Sequence, residues 1–257
     1  MTVVRRIALG LTIPLIVVVA YGITTTREPN PFYPPLNAIA ERFTELWIFD
    51  GIETDVVPSL SNLLAGFAIA VVAGVLGGLL LGRVRILREI FMPLISFGRS
   101  VPPIMLIPPL VLVLGIGDSS KIAIIAIGAV FPVLIATIDG LRQTDPALLD
   151  VARSMQLSRT RTTLNIWIPS AAPSMFGGIQ SALQIALVLM VSSEMVAAVR
   201  GVGFVTMQAQ LTFDAPSVWA GIVLLAILGF LLNFIFTLVR NRLLRWHIGM
   251  RSTSKSR

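Results

Sequence analysis

Arg99, Gln180, Gln184 and Glu194 are polar side chains set in stretches that otherwise carry almost no charge. Such residues are the usual candidates for the path of a solute, because an apolar setting makes any ionic or amide group costly to keep. Near Arg99, Pro102 and Pro103 have no N–H to give, which leaves the carbonyls of Gly98 and Arg99 without helical partners. Pro108 and Pro109 are expected to free Ile104 and Met105 in the same way. Two readings of Arg99 stand: it faces a pathway and favours an anion, or it snorkels to headgroups or pairs structurally. Gln180 and Gln184 lie one helical turn apart with Gly177 on their side, as a pore-facing stripe or an interhelical hydrogen-bond seam. Glu194 lies close to Arg200, so it either lines an outer gate or is an ion-paired or solvated rim carboxylate. Asp139 and Arg142 have the spacing of an i,i+3 pair.

The chemistry that is missing narrows the field. No G-x-x-x-x-G-K-[ST] phosphate loop occurs, so this polypeptide is not expected to bind ATP. There is no H-E-x-x-H, no cysteine, and a single histidine, His247, near the C-terminal end. No catalytic residue and no metal site is assigned, and the chain is not read as an enzyme.

The elements that position these residues follow from composition. The 257 residues are 55% hydrophobic and 13% charged, with a mean hydropathy of +0.87. Soluble domains carry about 25% charged residues. Several apolar runs reach the roughly 20 residues that cross a bilayer as helix. The fold class expected is an all-α membrane protein with about six transmembrane helices. The spans are placed at Ile7–Ile23, Pro58–Gly82, Ile90–Leu114, Lys121–Leu141, Pro169–Val191 and Ser217–Val239. The first is read as a retained span, with a cleaved signal peptide as the alternative. The whole chain, 1–257, reads as one transmembrane domain with a core of 58–240, a polar loop at about 143–169 and a basic tail at 241–257. Leu36, Ile39, Ala40, Phe43, Leu46 and Trp47 recur at helical spacing, as an amphipathic helix on the membrane or against the bundle.

The net charge of +7 is not a nucleic-acid signature, because the basic residues cluster between apolar runs. With the N-terminus in the cytoplasm, fifteen Lys and Arg fall inside and four outside, with Arg99 within a span. This asymmetry puts both termini, and the polar loop, in the cytoplasm. Small residues recur every fourth position at Gly66, Ala70, Gly74, Gly78 and Gly82, and again at Ser174, Gly178, Ala182 and Ala186. Such ladders let helix backbones approach closely.

The loop, LLDVARSMQLSRTRTTLNIWIP from Leu148 to Pro169, reads as two short helices. Asp145 is a suitable N-cap with Pro146 at the first helical position. Leu148, Ala152 and Met155 share a face, and Asp150 and Arg153 pair on the other. Ser158 caps a second helix, expected to run through Leu164 and Ile166 and to stop before Pro169. Such a pair must set its apolar stripe against the membrane interface, the base of the bundle or a cytoplasmic subunit.

The loop resembles the cytoplasmic motif of ABC-importer permeases: Glu-Ala-Ala, three residues, Gly, nine residues, Ile, one residue, Leu-Pro. Asp150, Val151 and Ala152 occupy the Glu-Ala-Ala place, and Ile166, Ile168 and Pro169 fall at the matching spacing. Gln156 stands where the motif has Gly, before Leu157, and a left-handed turn there would cost about 1 kcal/mol. RSVPP (Arg99–Pro103), GIGDSSK (Gly115–Lys121), SEMVAAVRGVGF (Ser193–Phe204) and RLLRWH (Arg242–His247) extend the likeness to the nitrate/sulfonate/taurine branch. The resemblance covers roughly residues 30–247. It implies a type I importer permease fold, with Leu148–Leu157 and Ile166–Pro169 as a coupling helix docked on an ATPase. It further implies a homodimer in the bacterial cytoplasmic membrane, two ABC ATPase subunits that hold the ATP and Mg, and an extracytoplasmic substrate-binding protein. No cofactor is implied for this chain, and its other contact is membrane lipid. Branch members handle taurine, sulfonates, nitrate and also uncharged heterocycles. The rival reading, a self-sufficient secondary transporter or channel, meets spans nearly free of carboxylates for ion coupling.

Overall fold

The glycine ladders set the packing of the bundle. The computed structural model describes residues 12–13, 16–25 and 30–245, apart from the side chains of 49 and 50. The start of the first predicted span and the tail beyond 245, His247 included, lie outside the described residues. The chain forms α1 (Ile16–Thr25), then α2 (Leu36–Phe43), α3 (Val57–Arg83), α4 (Arg85–Ser100), α5 (Ile107–Leu114) and α6 (Asp118–Arg142). The polar loop supplies α7 (Pro146–Ser154) and α8 (Arg159–Thr162), and α9 (Ile168–Val196), α10 (Val202–Leu211) and α11 (Ala215–Leu243) follow.

Gly66, Gly74, Gly78 and Gly82 of α3 face Ile125, Val133, Thr137 and Leu141 of α6 at a constant offset, so the two helices run parallel. A Cβ at Gly78 would stand 2.5 Å from Thr137 Cβ and 3.0 Å from the Leu134 carbonyl oxygen. Only glycine permits this approach, and close backbone packing drives association where lipid competes equally for apolar side chains. The second ladder meets the other side of α6 in the antiparallel sense: Gly178 lies on Ala136, Gly140 on Ala171 and Ser174, Gly128 on Leu189. Helix α6 is thus the axis of the protein. Ile124, Ile125, Ala129 and Val133 form the core with Leu63 and Ala70 of α3 and Ala182, Ala186 and Met190 of α9.

Four helical stretches are long and apolar enough to cross a membrane: Ile52–Arg83, Asp118–Arg142, Arg159–Val196 and Ala215–Leu243. A fifth is broken. Arg85–Ser100 and Pro103–Leu114 meet at 86°. Val101 and Pro102, each followed by a proline, take extended ψ values of 120° and 121°, as the proline ring disfavours helix in the residue before it. Pro108 and Pro109 behave differently from expectation. They sit in the first turn of α5, where a missing N–H costs nothing, and the Ile104 carbonyl accepts from Ile107 N. The six predicted spans therefore correspond to four helices, one broken pair and the described part of α1.

Two segments expected to be separate are joined by π turns. The helix after Ser158 does not stop before Pro169: Thr163–Trp167 is a π turn that runs into α9, with Ile168 N donating to the Thr163 carbonyl. The wider turn takes up the proline within a continuous helix. Likewise Thr44–Asp50 and Ile52–Val56 carry α2 into α3. The amphipathic segment packs on the bundle: Trp47, 2% exposed, and Phe43 and Leu46 meet Ala220, Leu224 and Leu228 of α11.

Candidate functional site

Residues of α4, α6 and α9 line an open cavity of about 570 Å³ near the end of the bundle that carries the polar loop. Proline-terminated α4 delivers Arg99 and Gly98 to it, and Pro103 closes the break. The last turn of α6 supplies Asp139 and its C-cap supplies Gln143, and α9 supplies Ser174, Gly178 and Ser181. Around the cavity Gly98, Gly128 and Gly178 let Phe131, Leu189 and Ala136 pack close against the backbone. Arg99 and Asp139 are exposed, and among the described residues neither has an ion-pair partner within 4.0 Å. The i,i+3 pairing of Asp139 with Arg142 does not form; the carboxylate lines the cavity instead. The cavity thus offers a cation, a carboxylate, an amide and two hydroxyls, without a nucleophile held by a base. It suits reversible binding of a small polar solute.

Other expected pathway residues fall elsewhere. Gln180 is part of a seam: its Nε2 donates to Asn233 Oδ1 at 2.9 Å, and Arg240 Nη1 donates to its Oε1 at 2.8 Å. Gln184, one turn further along α9, is exposed, and Gly177 has open space beside it. Pro102 is exposed at the α4–α5 break and does not line the cavity.

Glu194 is neither a rim carboxylate nor the partner of Arg200. It is 1% exposed. Ser59 Oγ donates to its Oε1 at 2.6 Å and Gly203 N to its Oε2 at 2.9 Å. Val202 N donates to Ser59 Oγ at 3.1 Å, and Gly201 N to Asp55 Oδ1 at 2.7 Å. Two carboxylates thereby cap the N-terminus of α10, where free N–H groups and the helix dipole favour negative charge. Gly201 has φ +121°, and a Cβ there would meet the Glu194 carboxyl carbon at 2.5 Å. Arg200 pairs instead with Asp118 at 3.0 Å, which also accepts from Asn62 and lies 3.6 Å from the buried Lys121 ammonium. Sequence reasoning missed Asp55, Ser59, Asn62 and Asp118; a lone Ser or Asn in an apolar helix was the available signal.

The loop carries the predicted caps. Asp145 Oδ1 accepts from Ala147 N at 2.9 Å, and Ser158 Oγ from Arg161 N at 3.3 Å. Gln156 takes the left-handed conformation, φ 51°. Leu157 N donates to the Ala152 carbonyl and Gln156 N to that of Arg153, both at 3.0 Å. These are the two bonds of a Schellman cap, made with Gln in the place glycine usually fills. The outward stripe differs from expectation. Leu148, Val151 and Met155 are 46%, 53% and 67% exposed, whereas Ala152 is buried at 2%. Asp150 and Arg153 form the expected pair at 2.9 Å. Ile166 and Pro169 are half-buried where the loop enters α9.

The chain is 28% identical over 250 residues to the taurine transport system permease protein TauC of Escherichia coli, covering 95% of this chain and 91% of that protein. It is 28% identical over 244 residues to a putative aliphatic sulfonates transport permease protein, SsuC, of Bacillus subtilis, covering 92% and 87%. In fold it resembles a chain of the MetNI methionine ABC transporter, with a TM-score of 0.63 and 21% identity over 73% of this chain and 94% of that one. Residues 70–245 match the family of binding-protein-dependent transport system inner membrane components, and this multi-helix chain is a member of that family.

Proposed function

We propose that the chain is the membrane-spanning half of an ATP-driven importer for a small anion such as taurine, an alkanesulfonate or nitrate. Two copies form the pore, two cytoplasmic ATPases hold ATP and Mg, and an extracytoplasmic binding protein delivers substrate. The setting is a bacterial cytoplasmic membrane with both termini in the cytoplasm. The observation that carries the reading is the pair of features at one end of the bundle: the Arg99 cavity and the loop with its outward apolar stripe. Leu148, Val151 and Met155 project from a helix capped at both ends, a rigid knob suited to a groove in another subunit. ATPase closure would press on this knob and, through the continuous Arg159–Val196 helix, rock α9 against its neighbours. The cavity would then open alternately to the two sides, with the Arg99 guanidinium favouring an anion.

The test is reconstitution with and without an ATPase subunit co-purified on the tagged chain. ATP-dependent uptake of an organosulfonate or nitrate, lost in Arg99→Ala at unchanged assembly, is expected. Uptake by the chain alone, without an ATPase, would establish the secondary-transporter alternative.

A further inference from the structure

A second cavity, of about 600 Å³, lies between the last turn of α3 and the root of the polar loop. Leu79, Leu80 and Arg83 line it from α3, and Leu157, Arg159 and Trp167 from the loop and its π turn. Arg83 and Arg159 are exposed. Among the described residues neither has an ion-pair or side-chain hydrogen-bond partner, although Arg85 and Arg153 close by in sequence are both paired. No acidic residue lines the cavity. Two arginines without ionic partners line one cavity, and an anion bound there gains from both charges. Apart from Thr162 the rest of the wall is apolar and continuous with a membrane-spanning helix, where Leu80 is 55% exposed. Trp167 lies at the foot of α9, and indole rings collect at the ends of membrane helices, between hydrocarbon and headgroups.

A free inorganic anion would use the arginines and waste the leucines. An acidic protein segment would have to lie against a surface that belongs to the bilayer. The ligand that uses both halves is amphiphilic, with a phosphate head and a hydrocarbon chain. We propose that this cavity is a binding site for an anionic phospholipid, with Arg83 and Arg159 on the phosphodiester and Leu79, Leu80 and Trp167 along the upper acyl chain. Basic pockets at the ends of membrane helices recognise lipid headgroups in this way. The site needs only the membrane setting that the family provides and stands independently of anion import. It joins α3 to the root of the loop, so an occupied site tethers the loop to the membrane surface.

The purified full chain is titrated with phosphatidylglycerol, or with phosphatidylcholine of the same chains, and bound lipid is counted by native mass spectrometry. Phosphatidylglycerol retained over phosphatidylcholine is expected, weakened about fivefold in each of Arg83→Gln and Arg159→Gln and restored by Arg83→Lys. Inorganic phosphate at the same concentration should not displace the lipid. Equal retention of the two lipids, or no change in either Gln variant, overturns the proposal. Displacement by inorganic phosphate makes this a free-anion site and also overturns it. Loss of a co-purified ATPase subunit in both Gln variants, with lipid retention unchanged, assigns the arginines to a protein partner and does the same.

Discussion

The Ser59 hydroxyl donates a 2.6 Å hydrogen bond to Glu194 Oε1 across 135 positions of sequence, and both side chains are buried. With Gly203 N on the other oxygen, the carboxylate ties α3, α9 and α10 together at the end of the bundle away from the loop. Removing the carboxyl group strands two buried donors, each costing about 1–3 kcal/mol when left unsatisfied. Glu194→Ala is therefore expected to destabilise the chain by about 3 kcal/mol or more. Glu194→Gln, which keeps an acceptor for Gly203 N, should lose markedly less. Gly201→Ala, strained by its φ and by its approach to Glu194, should behave like Glu194→Ala. Thermal unfolding in detergent ranks the three; equal midpoints for Glu194→Ala and the parent would show that the carboxylate holds nothing together.

Gln156 makes a Schellman cap in a conformation that costs a side chain about 1 kcal/mol. Gln156→Gly should relieve that strain at this position, where φ is already 51°. The expected result is stronger hydrogen-exchange protection of the Gln156 and Leu157 amides, with the subunit still assembled. Gln156→Val, β-branched and disfavoured at positive φ, should weaken protection across α7. Weaker protection in the Gly variant would mean that the Gln side chain itself makes the turn.

Features set by local spacing could be read directly from the sequence. A backbone approach that excludes a Cβ demands a small residue every fourth position, so the α3 and α9 ladders were visible before their partner α6 was known. Asp145 and Ser158 were visible as caps because a cap bonds within three residues of itself. What depended on distant closure was not visible. Nothing near Glu194 points to Ser59, and Arg200 was the nearer and wrong partner. Asp139 appeared paired with Arg142 because i,i+3 spacing allows it, while tertiary packing turned it into the cavity. Pro169 looked like a stop because a regular α-helix has no place for its ring, and the π turn supplies one.

Asp214 joins the end of α10 to α2 and is expected to give the fold an acid limit. It accepts from Arg42 Nη2 at 2.9 Å and from Ser217 Oγ at 2.6 Å. Partial burial alone would push its pKa up, but the Ser217 bonds and the Arg42 charge outweigh that and hold it below the usual carboxylate range. A folded-state pKa below the unfolded one adds stability that is fully present above about pH 4 and is lost as the pH falls through the depressed value. Unfolding midpoints should therefore fall in acid for the parent and fall less for Asp214→Asn. Parallel pH curves for the two would remove Asp214 from the acid response.

The chain has no cysteine, so single introduced thiols report accessibility without background. Gln180 and Gln184 are one turn apart on α9, yet only Gln184 is exposed, while Gln180 is bonded to Asn233 and Arg240. If the exposed face of α9 lines an aqueous path in the assembled transporter, Gln184→Cys should react with a charged, membrane-impermeant thiol reagent and Gln180→Cys should not. Excess anionic substrate should slow the reaction at 184. A lipid-facing position 184 would react only with an apolar maleimide, because hydrocarbon excludes the charged reagent and suppresses the thiolate. That result would remove Gln184 from the pathway and leave the Arg99 cavity as its remaining marker.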